Sequence, residues 1–291
     1  MTARGLTACV ASLLGLWACN RLDDSTGPKP TAPPLPPLAE PASLAVQGHS
    51  VLFAVVAQQA VPLVCHDHGQ KRLGADCATL LPSSASVRLA GSLSATLQPA
   101  GMSACTLGGK PVPAYSLSEL VGSPTEHRAA MWSDVLHPVM TMPPWPAEHQ
   151  PETPSQLRGM KQTCDELANA LTGRSILPLP QTTWLVDLDG DGVRERIDDV
   201  RCGEPKQPIF LAQVLFLTPG RRPERTVPLR VVKQPTETVR IDVVVDVDSN
   251  GVPEVMLSQM SPSSQRVEIA HLERVGLMPI AELACLVGKR R

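Results

Sequence analysis

Two short acidic segments hold the residue types and spacings best suited to chemistry. The first, Asp187-Leu188-Asp189-Gly190-Asp191-Gly192-Val193-Arg194-Glu195, has carboxylates at its first, third, fifth and ninth positions. In a tight turn Asp187, Asp189 and Asp191 share the inner side, Gly192 lets the backbone reverse, the carbonyl of Val193 can point inward, and Glu195 supplies one or two more oxygens. Hard oxygen donors at this density suit Ca²⁺ with six or seven ligands. Mg²⁺ prefers to keep water, and Zn²⁺ prefers nitrogen and sulfur. Without a cation, four clustered carboxylates repel one another. The second segment, Asp246-Val247-Asp248-Ser249-Asn250-Gly251-Val252-Pro253-Glu254, repeats the pattern 59 residues later. Its expected ligands are Asp246, Asp248, Asn250, the carbonyl of Val252 and Glu254. Asn250 keeps an oxygen but loses a charge, which predicts weaker binding than at the first loop; one or two structural Ca²⁺ ions are expected.

One other polar cluster is suited to metal chemistry, Cys65-His66-Asp67-His68. Alternation on a strand would turn His66 and His68 to one face, where two imidazoles and a carboxylate could ligate a metal and support an envelope hydrolase. The competing expectation is an exposed loop beside an oxidised Cys65. No His-Glu-x-x-His, Gly-x-Ser-x-Gly, Ser-x-x-Lys or phosphate-binding glycine loop occurs, and His49, His127, His137, His149 and His271 are scattered, so no catalytic residue is nominated.

The acidic loops require elements to carry them. Strand-like residues run up to each loop (Trp184 to Val186, Arg240 to Val245) and resume after it. Further candidate strands follow at 196–201, 209–217 and 226–232 in the first unit, and at 255–259, 266–273 and 278–287 in the second. Each unit reads strand, acidic loop, strand, turn, strand, turn, strand, which argues for repeated four-stranded antiparallel sheets over 182–287. An EF-hand would need flanking helices and an acidic twelfth position; Asp198 fills that place in the first loop, but Leu257 stands there in the second. The two loops, with their strand flanks, resemble the FG-GAP and VCBS type repeats of integrin-like β-propeller proteins. In those repeats an Asp-x-Asp-x-Asp-Gly-x-x-Asp loop between a blade's first two strands binds Ca²⁺. The Phe-Gly and Gly-Ala-Pro signatures of those repeats are absent here. A closed propeller needs at least four blades. Two are visible, with room for one degenerate copy within residues 43–117, so an open or stacked β arrangement is expected.

Residues 1–18 read as an export signal: Arg4 precedes an apolar run from Leu6 to Ala18, too short to span a bilayer. The run ends Leu16-Trp17-Ala18-Cys19, which resembles the lipobox of bacterial lipoproteins and implies that Cys19 is lipidated; a plain secretory signal is the alternative. Residues 19–41 form a stalk, since 7 of the 14 residues from Pro28 to Pro41 are proline and favour extended polyproline II. Asn20 after the lipidated cysteine favours, by the same resemblance, passage to the outer membrane.

Once Cys9 leaves with the signal and Cys19 carries lipid, six cysteines remain: Cys65, Cys77, Cys105, Cys164, Cys202 and Cys285. In an exported chain an even number predicts up to three disulfides. Cys65 with Cys77 is the preferred pair because it closes a short polar loop, and the other pairings stay open. Residues 42–121 read as a β-rich, disulfide-stapled region, 122–153 as a Pro/Met-rich loop, and 154–173 as a helix with one face on the C-terminal sheet. Leu157, Met160, Cys164, Leu167, Ala168 and Leu171 recur along that helix at spacings of three and four. With 43% hydrophobic residues and a net charge of -2 the chain is not disordered, and with 3% aromatics and no basic excess it does not suit nucleic acid. The expected fold is mainly β: two propeller-blade-like units, one packing helix and an N-terminal stapled region. The expected role is that of a membrane-anchored binding or structural module whose partner is an envelope protein or surface ligand.

Overall fold

The computed structural model describes residues 48–89, 93–118, 128–134, 152–171, 176–204, 210–234, 236–273 and 276–286. The signal, Cys19 and the stalk lie outside these residues. The fold is mainly β and antiparallel throughout, in two sheets with one α-helix.

β1 (His49–Val56) and β2 (Gln59–Asp67) form a hairpin, followed by the short β3 (Gln70–Leu73) and a 3₁₀ helix, Gly74–Leu80. β4 (Ser86–Leu89), β5 (Ser94–Leu107), β6 (Lys110–Ser118) and β7 (Ala129–Ser133) complete the N-terminal half. Their pairings form a closed circuit, β1 to β7 to β4 to β5 to β6 to β2 and back to β1, so six strands make a small barrel. Alternation along β1 explains its unbroken apolar run. Val51, Phe53 and Val55 fill the barrel, while Leu52, Ala54 and Val56 face outward onto a second core. This half is a barrel, not a third acidic-loop unit. β7 also lies inside the segment expected to be loop. Its residues Ala129, Ala130 and Met131 are buried, and Trp132 partly so, because the strand pairs with β1 on one side and β4 on the other.

Helix α1 (Pro154–Leu171) starts at a capping box: Thr153 Oγ1 accepts the Gln156 N–H at 3.3 Å, and Gln156 Oε1 accepts the Thr153 N–H at 2.8 Å. β8 (Leu177–Val186), β9 (Glu195–Gly203), β10 (Phe210–Thr218) and β11 (Val227–Val232) form a separate four-stranded meander. β12 (Thr238–Val245), β13 (Glu254–Met260), β14 (Ser264–Glu273) and β15 (Gly276–Leu286) form a second. The second meander is not a free-standing sheet. Leu283 to Cys285 of β15 pair with Cys105 to Leu107 of β5, so it continues into the barrel strands.

The layers are held by separate cores. Outward residues of β1 and β2 pack on Val243, Val245, Met256 and Ile269 of the second meander. That meander's opposite face, with Ile241, Val244 and Leu257, packs on Val186, Ile197 and Leu215 of the first. The first meander's outer face, with Val200, Val214 and Phe216, takes Met160, Cys164 and Ala168 of α1. The order is therefore barrel, second meander, first meander, helix. Three disulfides cross-link it: Cys65 with Cys77, Cys105 with Cys285, and Cys164 with Cys202. One buried amide joins the meanders. Gln213 Nε2 donates to the Val239 carbonyl at 2.7 Å, and Gln213 Oε1 accepts the Val239 N–H at 2.9 Å.

Candidate functional site

The two acidic loops connect the first two strands of their meanders in the same register, with Val186 opposite Glu195 and Val245 opposite Glu254. Strands flank both, which removes the EF-hand arrangement. Each loop is organised by its own carboxylates. In the first, Asp187 accepts the N–H groups of Gly190 and Gly192, both at 2.8 Å, and Asp189 accepts that of Asp191 at 3.2 Å. Asp191 accepts the Val193 N–H at 2.7 Å, and Glu195 Oε2 accepts the Leu188 N–H at 2.7 Å. The second loop repeats this. Asp246 accepts from Asn250 at 3.0 Å and Gly251 at 2.8 Å, Asp248 accepts from Asn250 at 3.2 Å, Asn250 Oδ1 accepts from Val252 at 2.7 Å, and Glu254 Oε2 accepts from Val247 at 3.0 Å. Gly192 has φ +81° and Gly251 +87°, the reversal expected of them. The fourth position is left-handed as well, served by Gly190 in one loop and by Ser249, at φ +56°, in the other.

The loops differ in what surrounds them. In the first, Asp187, Asp189 and Glu195 each bring an oxygen within 4.8 Å of the others. Asp191 instead turns to Arg221 Nε, 2.6 Å away on the β10–β11 turn. Gly220 on the same turn lies so close that a Cβ there would stand 2.6 Å from the Arg194 carbonyl oxygen. Burial lifts Glu195 above the ordinary carboxylate range, with Asp189 adding to the effect. A cation would relieve this by replacing lost solvation with ionic bonds, so the donor set fits a hard divalent ion.

The second loop is wedged between the first loop and the barrel. A Cβ at Gly190 would overlap the carbonyl oxygen of Gly251. On the other side Ser50 Oγ donates to the Val247 carbonyl at 2.6 Å, Lys71 Nζ stands 3.7 Å from Glu254 Oε1, and His66 Nε2 stands 3.6 Å from Asp248 Oδ2. Here the gathered groups are His66, Asp248 and Glu254. Burial raises Glu254 to about 7, opposed by the Val247 N–H and Lys71 and reinforced by Asp248 and Asp246. Asp246, hydrogen-bonded to Asp248, is also raised, chiefly by burial. Burial lowers His66, so its ring is neutral at pH 7.

His66 and His68 do not share a site. β2 ends at Asp67, and His68 sits in the following turn at φ +48°, exposed, with its ring 4.5 Å from that of His49. His49 Nε2 lies 3.1 Å from Asp67 Oδ1, and His49 Nδ1 lies 2.6 Å from Asp134 Oδ2. Asp67 also pairs with Arg72. The residues missed from local spacing are His66 as a neighbour of the second loop, with Ser50 and Lys71, and the Gly220-Arg221 turn beside the first. Their only signal is three-dimensional. Comparison with protein-family models, with curated proteins and with solved structures found no match.

Proposed function

We propose that this chain is a lipid-anchored envelope module whose β domain is stabilised by calcium at the first acidic loop, and that it acts by binding or by structural support. The observation that carries the reading is the first loop. Three carboxylates converge within 4.8 Å while backbone N–H groups hold both oxygens of Asp187 and one each of Asp189 and Glu195, so the loop is shaped without the ion and electrostatically relieved by it. The resemblance to FG-GAP and VCBS calcium loops agrees with the identical hairpin register at both sites. Three disulfides agree with an exported chain. The lipobox-like Leu16-Trp17-Ala18-Cys19 supplies the anchor and the proline-rich stalk the spacing. The partner is an envelope protein or a surface ligand.

Thermal unfolding of the purified chain in calcium and in chelator tests this. At a hundredfold excess over Kd, calcium raises stability by about 2.7 kcal/mol, a Tm gain of roughly 5–10 °C for a domain of this size. Asp189→Ala abolishes the gain. Superimposable curves for the unaltered chain with and without chelator sink the calcium reading. Pull-down of envelope proteins in calcium and in chelator then identifies the partner.

A further inference from the structure

The second loop keeps the backbone plan of the first but receives something the first lacks, an imidazole from another part of the chain. His66, on β2, is separated from Asp248 by more than half of the sequence, and the packing of barrel on meander brings the two together. The His66 side chain is only 9% exposed, and neither ring nitrogen has a hydrogen-bond partner among the described residues. A buried imidazole usually satisfies at least one nitrogen, because an unpaired buried polar group costs about 1–3 kcal/mol. The Nε2 to Oδ2 separation of 3.6 Å is too long for a hydrogen bond. It matches the spacing of two ligands around one small cation: at metal–ligand bonds near 2.1 Å, tetrahedral neighbours lie about 3.4 Å apart. Glu254 completes the group. Its Oε2 is held by the Val247 N–H, while its Oε1 faces Lys71.

We infer that His66, Asp248 and Glu254 form a mixed nitrogen and oxygen site for a Zn²⁺-class divalent ion, making the second loop a different metal site from the first. Calcium takes oxygen ligands and gains little from imidazole, whereas Zn²⁺ readily combines one histidine with carboxylates. Loss of the fifth-position carboxylate at Asn250 has the same direction: it weakens an all-oxygen calcium site and leaves the His66 side of the loop untouched. Lys71 serves as counter-ion to Glu254 when no metal is bound. Its half-exposed chain can swing to solvent when a dication takes that place. The inference rests on the reading of the loops as cation sites but selects a different ion for one of them.

The test is thermal unfolding and equilibrium titration of the metal-stripped, purified chain with Zn²⁺ and, separately, with Ca²⁺. Zinc should raise Tm in the unaltered chain. His66→Asn should weaken zinc at least tenfold, and Asp248→Asn and Glu254→Gln should do likewise; Glu254→Gln keeps an acceptor for the Val247 N–H should the His66 variant fail to fold. Asp189→Ala should remove the calcium response and leave the zinc response, so failure of the calcium reading and failure of this one are separately visible. His68→Ala should change nothing. The inference is overturned if zinc does not raise Tm, if all three ligand variants respond to zinc like the unaltered chain, or if His68→Ala loses the response, which would move the ion to the exposed His49, Asp67 and His68 group. Co²⁺ bound in place of zinc should show d–d absorption that includes a nitrogen ligand; an all-oxygen signature would equally overturn it.

Discussion

The first and second meanders share a hairpin register and a loop plan, yet they manage their polar residues in opposite ways. In the first, Thr183 on the leading strand donates to Asp198 on the following one at 2.6 Å. In the second the roles are exchanged: Asp242 stands on the leading strand and accepts from Ser258 on the following one. Asp198 also holds Arg196, whose Nε lies 2.9 Å from both carboxylate oxygens and whose Nη2 reaches Glu152 at 3.1 Å, all in a nearly dry setting. Asp242 is paired with Arg240, whose side chain is 38% exposed although its Nη2 is buried without a hydrogen-bond partner, and Arg128 stands close enough to act on both. The same loop is thus supported in one meander by a sealed ionic network and in the other by a partly exposed one, backed by the barrel. Conservation of the hairpin does not require conservation of what braces it.

This contrast is broken or sharpened most by Asp198→Ala. It takes away the main carboxylate partner of the buried Arg196, leaving it Glu152, and the acceptor of the Thr183 hydroxyl, with an expected loss of about 3–5 kcal/mol in denaturant unfolding. Asp242→Ala, whose arginine is already partly exposed, should cost less, about 1–3 kcal/mol. Equal losses would erase the distinction.

Next comes the contact between the loops. Gly190→Ala adds a methyl against the Gly251 carbonyl at φ +73°, combining backbone strain with overlap, for an expected loss of about 2–4 kcal/mol. Gly192→Ala meets open space and carries only the strain of a left-handed residue, about 1–2 kcal/mol.

A pH profile separates the two glutamates. Glu254 titrates near 7 in the folded chain and near 4.5 when unfolded, so between these values the folded state binds the extra proton. The Glu254 contribution to the stability of the metal-stripped chain should therefore fall as pH rises from 4.5 to 7, by roughly 3 kcal/mol. Glu254→Gln should remove most of the slope. Glu195 is raised too, so Glu195→Gln should remove part of it.

The smallest effect is at the fourth loop position. Ser249→Gly gives the second loop the glycine that the first already has at that left-handed turn, for a gain of about 0.5–1 kcal/mol.

Much of the C-terminal half was legible because its signals are local. Every strand of both meanders except β8, which reaches back from Trp184 to Leu177, lies within a few residues of its apolar run, Pro154 opens the helix, and Met160, Cys164 and Ala168 recur at its buried face. The preferred Cys65 to Cys77 pair is present, while Cys105 to Cys285 needed the β5 to β15 pairing to be visible. The barrel was not legible, since its closure depends on one short strand, Ala129 to Ser133, that looks like a fragment of a proline-rich loop until β1 and β4 are placed on either side. The partition of the site was illegible for the same reason. Local spacing puts Asp191 with the other loop carboxylates and His66 with His68, whereas Arg221 draws one away and the barrel packing turns the other toward Asp248.

The buried amide of Gln213 has a consequence for how the molecule avoids its own kind. β12 is the terminal strand of the large sheet, and a bare terminal strand offers its polar backbone to any passing chain. Gln213 occupies the N–H and C=O of Val239 as a neighbouring strand would, closing that position to recruitment. The other terminal strands are blunted by different means: Pro178 and Pro180 on β8, Pro228 on β11, and on β3 only four residues, two of them basic. The chain can thus present extended sheet margins without polymerising. Gln213→Ala should therefore be noticed first as self-association on storage.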